Sequence, residues 1–257
     1  MKYKILDTCL EVNGSLFLGD EWKKFETEDS VSDIKVDLFY RGVDCYGMEL
    51  LNLDQMKHSI KNESSILFAS NDWTYGKIYG SDAYEVSGLI EMILYSFLLK
   101  KNTLLFHSSL VQVDNKGVMF LGPSGVGKTT QATLWQKYKQ ATILNGDLVF
   151  VKKEEDAFYG YGSPWHGSSP YCENDRVQIK TMIVLEQGKE NQLKNLAGFE
   201  VLKGIMEQVF LPQWYQQAMD ASLGTLDHLL ESVPVYHLVN VADEESVKLV
   251  EEKLNNL

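Results

Sequence analysis

The chain has 257 residues, 44% of them hydrophobic, and a formal net charge of −12 from 24 Lys and Arg against 36 Asp and Glu. This length suits one large domain, or one domain with a smaller attachment, and the apolar content is enough for a full core. The acidic balance argues against nucleic acid and against an anionic membrane surface as partners, since both attract clusters of basic residues.

Cysteine usage and hydropathy predict a cytoplasmic protein. Cys9, Cys45 and Cys172 are far apart and form no C-x-x-C pair, and an odd, scattered set is typical of a reducing compartment. The opening residues lack the apolar block of a secretory signal. The most apolar run, residues 89–99, is too short to span a bilayer and contains Glu91.

Residues 1–83 are predicted to form a β-rich N-terminal region. Alternation of apolar and polar side chains is typical of a half-buried strand, and Ile34, Val36 and Leu38 show it clearly. Asn13-Gly14 is a turn signal. The candidate strands are 4–12, 15–18, 34–40, 65–69 and 73–79. We find no catalytic pattern in this region.

Residues 84–257 are predicted to form a second region of α/β type. Residues 84–100 are apolar on most sides, which predicts a buried helix, and a strand follows from residue 103 to about His107. The later segments alternate between strand patterns (117–121, 179–186, 235–241) and helix patterns (129–140, 198–209, 214–232, 243–255). Asp243 and the two glutamates after it suit the N-terminus of the last helix.

A phosphate-binding loop (P-loop) is the strongest motif. Residues 122–129, GPSGVGKT, match G-x-x-x-x-G-K-[ST] without a mismatch, between a predicted strand and a predicted helix. The glycines let backbone N–H groups turn inward around a phosphate, and the helix N-terminus faces the same anion. Lys128 is expected to be a solvent-facing ligand of the β- and γ-phosphates, and Thr129 a ligand of Mg²⁺. The predicted nucleotide-binding residues are Gly122, Ser124, Gly125, Val126, Gly127, Lys128, Thr129 and Thr130.

Residues 141–151, after the predicted helix, support two interpretations. Two strand-like runs flank Asn145-Gly146, which is a strong hairpin signal. In the other interpretation, Asp147 is the acidic Mg²⁺ partner that P-loop enzymes hold at a strand end. The two are compatible, because a turn that faces the P-loop presents Asp147 to the metal.

Residues 159–171 are predicted to form a loop. The segment contains three glycines, two prolines and Trp165. Loops of this composition beside a nucleotide site often serve as lids or substrate clamps, and the alternative is an exposed connection.

This arrangement resembles the HPr kinase/phosphorylase family, which shares a P-loop catalytic core with phosphoenolpyruvate carboxykinases. The resemblance rests on His107, fifteen positions ahead of Gly122, and on the acidic turn that ends at Asp147 soon after the loop. Over residues 85–257 the chain is similar to the small HPr-kinase-like proteins that are linked to modification of ribosomally made peptides. The segments that carry this similarity are 161–165, 176–180 and 234–238.

The resemblance implies an α/β fold with a P-loop core of the HPr kinase and phosphoenolpyruvate carboxykinase type, carrying the β-rich N-terminal region. It implies ATP and Mg²⁺ as cofactors, with Thr129 and Asp147 on the metal, His107 near the transferred group and Arg176 neutralising phosphoryl charge. The alternatives are a core histidine at 107 and a surface ion pair at Arg176. Gly146 stands where the family has the first aspartate of a pair, its presumed base, and the extended phosphorylase signature is missing.

These features predict a Mg²⁺·ATP-dependent kinase that transfers the γ-phosphoryl group to a Ser or Thr hydroxyl of a small protein or peptide. Because glycine accepts no proton, the base is expected to be His107, Asp147 or Asp175, or to be dispensable in a loose transition state.

Two other functions stay open on the sequence. Gly146 favours a catalytically weak nucleotide-binding sensor or a module that presents a partner. Carboxykinase-like transfer to a small carboxylate is a further alternative, which the missing metal-ligand cluster disfavours. The acceptor, ATP or GTP preference and homo-oligomer formation are left open by the sequence.

Overall fold

The computed structural model describes residues 1–14, 16, 18–40 and 55–256. By its internal contacts the chain divides into two units, Met1–Leu98 and Leu99–Leu257. The predicted strand at 15–18 includes Ser15 and Phe17 and therefore lies outside the described residues, as does Cys45.

The first unit contains a mixed sheet of six described strands in the order β1-β2-β3-β6-β5-β4. The β-rich pattern read from the sequence corresponds to this sheet, although β4 was not predicted. The strands are β1 Lys2–Ile5, β2 Thr8–Asn13, β3 Ile34–Tyr40, β4 Met56–Lys61, β5 Ser65–Ser70 and β6 Tyr75–Gly80, with a short 3-10 helix at Asp20–Phe25.

Helix α1, Ala83–Leu98, belongs to the first unit, because it packs on β3, β5 and β6. Val86, Leu89, Ile90 and Ile93 are buried, as the all-round apolar sequence predicts. The boundary predicted from the sequence, between residues 83 and 84, assigned this helix to the second region. The contacts instead place the division after the helix, at residue 98.

The second unit is built on a mixed sheet of eight described strands. Their order is β11-β10-β7-β8-β12-β14-β13; β9 also pairs with β7, and β11 pairs with β12 as well as with β10. Strands β8, β12 and β14 are parallel to one another. The strands are β7 Thr103–Val113, β8 Lys116–Leu121, β9 Thr142–Asn145, β10 Leu148–Glu154, β11 Ala157–Tyr161, β12 Arg176–Gln187, β13 Gln192–Asn195 and β14 Val235–Asn240.

Four helices cover the two faces of this sheet: α2 Lys128–Lys139, α3 Phe199–Met206, α4 Gln216–Ser232 and α5 Glu244–Leu254. Side chains of β8 alternate between the layers, so that Phe120 joins the core under α2 and α5, whereas Met119 joins the core under α3 and α4. The unit is therefore a three-layer α/β structure. No described helix is long and apolar enough to cross a bilayer.

The predicted hairpin at Asn145-Gly146 is wrong. Strand β9 pairs with the end of β7 and β10 with its beginning, both antiparallel, so that they lie end to end along the same edge of β7. Two residues, Gly146 and Asp147, interrupt what would otherwise be one long strand. The Asn-Gly pair thus marks a local break in a sheet edge, which a two-residue turn signal cannot distinguish from a reversal of direction.

Candidate active site

The P-loop connects β8, which is buried from Gly117 to Leu121, to α2. Gly122, Gly125 and Gly127 have φ angles of 140°, 81° and 113°, a region of backbone space that favours glycine. Ser124 and Gly125 are exposed at the tip, and Val126 is half-buried against the core under α2. The loop therefore has the backbone freedom that an inward-facing set of N–H groups requires.

Lys128 is buried rather than solvent-facing, with 6% of its surface exposed. Its Nζ donates to the carbonyl oxygens of Gly122 at 2.9 Å and Pro123 at 3.4 Å. Burial lowers the pKa of the Lys128 ammonium, and the Asp147 carboxylate opposes this effect. The ammonium thus already lies within the loop, where a phosphate would meet it.

Hydroxyl groups tie the first turn of α2 to the neighbouring strands. Thr129 Oγ1 donates to the carbonyl oxygen of Gly146 at 3.2 Å, and Ser109 Oγ donates to that of Lys128 at 3.0 Å. Thr130, the last predicted nucleotide ligand, is exposed on the same turn. The contact of Thr129 brings the two predicted metal ligands together, because Gly146 directly precedes Asp147.

His107 and Asp147 form a pair beside the C-terminal end of β8. In β7, Ser108 pairs with Leu121, the last residue of β8, so that His107 lies level with the start of the P-loop. The His107 Nε2 is 3.2 Å from Asp147 Oδ1, and about a third of each side chain is exposed. The Ser108 N–H also donates to the Asp147 carbonyl at 2.8 Å. His107 is therefore a mid-strand residue facing a carboxylate, not a residue at a strand end.

Residues 162–172 pack on the interrupted strand rather than forming an exposed connection. The Gly146 N–H donates to the Tyr171 carbonyl at 3.2 Å, and Trp165 is buried. A Cβ atom on Gly146 would overlap the Ser169 hydroxyl, and one on Gly167, where φ is 59°, would overlap the Asp147 carboxylate. The segment, which we call the covering loop, therefore approaches Asp147 as closely as glycine allows. The predicted loop began at residue 159, but 159–161 belong to β11.

The structure separates Arg176 from this cluster. Strand β12 runs parallel to β8 with Val184 beside Leu121, whereas Arg176, at the opposite end of β12, pairs with Tyr161 of β11. Its guanidinium forms an ion pair with Glu154 and donates to the Tyr161 hydroxyl. Arg176 thus forms the surface ion pair that was the alternative to neutralising phosphoryl charge. Asp175, one of the alternative bases, directly precedes β12, and its carbonyl accepts from the Gly162 N–H.

The oxygen donors near the loop fit a nucleotide-bound Mg²⁺. Among the described residues no group of three or more His, Cys, Asp or Glu is placed to hold a metal. Mg²⁺ in nucleotide sites typically uses one or two protein oxygens and completes its shell with phosphate oxygens and water. Thr129 and Asp147, joined through Gly146, would provide that number of oxygen ligands.

A cleft of about 320 Å³ adjoins the P-loop, between Pro123–Val126 and the end of β12 at residues 185–187. Gln187 in this cleft donates from Nε2 to the Gly125 carbonyl at 3.1 Å. Gln187 was not predicted from the sequence, because a glutamine at a strand end carries no signal of the loop that it contacts.

Comparison with known proteins supports the resemblance. No family model matches the chain. HPr kinase/phosphorylase of Mycoplasmopsis pulmonis (strain UAB CTIP) is 24% identical over 118 residues, which are 46% of this chain and 35% of that protein. Over these residues the chain is similar to an HPr kinase/phosphorylase. The match spans about a third of that relative's length. The structure of the HPr(Ser) kinase/phosphatase from Coxiella burnetii aligns at 11% identity and a TM-score of 0.34, over 59% of this chain and 98% of that one.

Most of the predicted site lies together at the C-terminal end of β8. The P-loop, Lys128, Thr129, His107 and Asp147 lie together, and Arg176 does not. Asn145 was predicted from the sequence only as part of a turn. Its Oδ1 accepts hydrogen bonds from the backbone N–H groups of Asp147 at 2.8 Å and Leu148 at 2.9 Å, which is the local bonding that asparagine favours in turns.

Proposed function

We propose that this chain is a Mg²⁺·ATP-dependent kinase that transfers the γ-phosphoryl group to a Ser or Thr hydroxyl of a small protein or peptide. The observation that carries the proposal is the convergence of four side chains on one loop: Lys128 inside it, Thr129 beside the Gly146 carbonyl, and His107 paired with Asp147. The curated similarity to an HPr kinase/phosphorylase supports the same class of reaction.

Phosphate binding is assigned to the P-loop and Lys128. The backbone N–H groups of residues 122–127 and the N-terminus of α2 favour an anion there. Lys128 exchanges its contacts with the Gly122 and Pro123 carbonyls for phosphate oxygens. The adjoining cleft takes the nucleoside. Bound Mg²⁺, held by Thr129 and Asp147, would neutralise charge on the phosphates. Positioning and charge neutralisation supply most of the catalysis in phosphoryl transfer.

Proton removal from the acceptor hydroxyl is assigned to His107. With the Nε2–H donated to Asp147, Nδ1 keeps the lone pair that accepts the proton. General-base help of this kind is typically worth about 10²–10⁴-fold in rate. Because the nucleophile's proton leaves late in a loose transition state, we expect slow but real turnover even though Gly146 offers no carboxylate.

Labelled ATP tests the proposal directly. Protein and peptide products of the neighbouring genes are incubated with the chain, Mg²⁺ and ATP labelled in either the γ- or the α-phosphate. We expect label from the γ-position alone on a Ser or Thr, and a fall of at least about tenfold in His107→Ala with ATP affinity nearly kept. If no acceptor is labelled and His107→Ala changes no ATP turnover, the chain is not a kinase.

A nucleotide-binding sensor is the second candidate, and one observation favours it. A Cβ atom on Gly146 would overlap the Ser169 hydroxyl of the covering loop. The structure therefore has no room for a carboxylate side chain at position 146. A sensor would bind Mg²⁺·ATP through the same P-loop, with Mg²⁺ tightening the affinity, but would show no transfer to any acceptor or to water.

A further inference from the structure

Asn145 connects the interrupted strand to the covering loop through both ends of its carboxamide. Its side chain is fully buried. On one side, Oδ1 accepts from the N–H groups of Asp147 and Leu148. On the other side, Nδ2 is within 3.0–3.2 Å of three loop oxygens: the Ser163 carbonyl, the Ser163 hydroxyl and the Trp165 carbonyl.

This bonding requires a carboxamide in one orientation. Asparagine combines an acceptor oxygen with a two-proton donor, whereas ionised aspartate has the same shape and acceptors only. The turn side of Asn145 needs an acceptor, because it faces N–H groups. The loop side needs a donor, since the carbonyls of Ser163 and Trp165 cannot donate. Aspartate at this position can keep the first set of bonds and must lose the second.

We propose that Asn145 is a positioning residue that couples the covering loop to the Asp147 carboxylate. Its Oδ1 fixes the backbone that presents Asp147 to His107 and to the metal side of the site, and its Nδ2 holds the loop that approaches Asp147 at Gly167. Its role in catalysis rests on the proposed kinase function. A loop held in this way restricts the rotamers of the Asp147 side chain, because Gly167 lies against its carboxylate.

Two substitutions separate the two halves of this coupling. Asn145→Asp, measured at pH 8, should free the loop and keep the turn: amide hydrogen exchange of residues 163–169 rises at least about tenfold, because those residues lose donors that nothing replaces. The tightening of ATP binding by Mg²⁺, which reports on Asp147, stays within about threefold of wild type, while kcat falls and the KM for ATP is nearly kept. Asn145→Ala should lose both the loop protection and the Mg²⁺ effect.

Asn240→Asp is the matched control. Asn240 is also buried, accepts from Gln131 Nε2 and the Ala242 N–H, and donates to the Glu186 carbonyl, but it contacts neither the turn nor the covering loop. We expect this variant to lose thermal stability while the loop exchange and the Mg²⁺ effect stay at wild-type levels. Ser163→Ala, which removes one of the three loop oxygens, should speed loop exchange in the same direction by a smaller factor.

Loop exchange decides the inference independently of the kinase proposal. If residues 163–169 exchange at the wild-type rate in both Asn145→Asp and Ser163→Ala, the coupling does not exist, whether or not ATP is turned over. If the loop is freed and the wild-type chain nevertheless transfers no phosphoryl group, the kinase proposal fails and the coupling stands. Loss of stability alone, equal to that of Asn240→Asp, would make Asn145 a structural residue and overturn the proposal.

Discussion

Replacement of Lys128 by methionine tests the phosphate site most simply. Methionine has a similar length and no branch, so that it can occupy the same buried path without the ammonium group. The substitution removes the Nζ bonds to the Gly122 and Pro123 carbonyls and the charge that would meet the phosphates. A matched substitution is Lys137→Met, which removes the same charge from an exposed position on the same helix.

The expected loss of ATP affinity follows from the burial of Lys128. A hydrogen bond to a charged group contributes about 1.5–3 kcal/mol, and a loss of about 1.4 kcal/mol weakens binding tenfold. With only 6% of the residue exposed, solvent screens the interaction little. Lys128→Met should therefore bind ATP about 10- to 150-fold more weakly. The substitution removes the cost of burying an ammonium, which stabilises the fold, and removes the contacts with the two carbonyls, which destabilises it. Because these effects oppose each other, the melting temperature should stay within about 4 °C of wild type.

Calorimetric titration with ATP, in the presence of Mg²⁺, gives the three dissociation constants. We expect the wild type and Lys137→Met to agree within about twofold, since an exposed charge contributes little. Wild-type affinity in a folded Lys128→Met protein would refute the assignment of residues 122–129 as a phosphate site. An equal loss in both variants would mean that only the overall charge of the helix matters.

Four further outcomes are expected. Gly146→Asp should lower the melting temperature and not raise turnover, because its Cβ would overlap the Ser169 hydroxyl; an unchanged melting curve would contradict this packing. Asp147→Asn should reduce the tightening of ATP binding by Mg²⁺ at least about tenfold, whereas an equal Mg²⁺ effect in both proteins would leave Asp147 as a turn residue. Arg176→Ala should change ATP affinity and turnover by less than about twofold, and a tenfold fall would return this residue to the site. Burial lowers the pKa of Lys128 below its ordinary value of 10.5, so that between these two pKa values the unfolded chain binds more protons than the folded chain. In that pH range the unfolding free energy of wild type should therefore rise with pH relative to that of Lys128→Met. Denaturant titrations that show a falling or constant difference in unfolding free energy would contradict the burial of the ammonium.

Features set by short stretches of sequence were predictable. The P-loop follows from glycine spacing between an apolar strand and a helix, and the structure has both elements at those positions. The cap of α5 follows from Asp243, whose carboxylate accepts from the Ser246 N–H. The placement of Asp147 near the loop was also expected, although through a hairpin that does not exist.

Features set by strand pairing were not predictable from one sequence. The role of Arg176 depends on which end of β12 lies beside the P-loop, and no residue near Arg176 encodes that direction. The burial of Lys128 depends on the conformation of the P-loop, which places the Gly122 and Pro123 carbonyls around the Lys128 ammonium. The same limit applies to Gly146: the sequence shows only that glycine replaces the family's aspartate, whereas the structure shows that Ser169, 23 positions away in the sequence, fills the space of a side chain there.

Asn145 illustrates both cases in one residue. Its bonds to Asp147 and Leu148 are local, and the Asn-Gly pair announced a turn of some kind. Its bonds to Ser163 and Trp165 join segments 18 and 20 residues apart. Only the three-dimensional arrangement shows that one side chain serves the carboxylate and the covering loop together.

Slow transfer of the γ-phosphoryl group to water, measured as phosphate release at saturating Mg²⁺·ATP, tests the central claim most directly because it needs no acceptor. The account predicts release above the protein-free rate, dependence on Mg²⁺, and a fall of at least about tenfold in His107→Ala while the dissociation constant for ATP is nearly unchanged. ATP binding without any release in the wild type, or the same rate in His107→Ala, would contradict a kinase that uses His107 as its base.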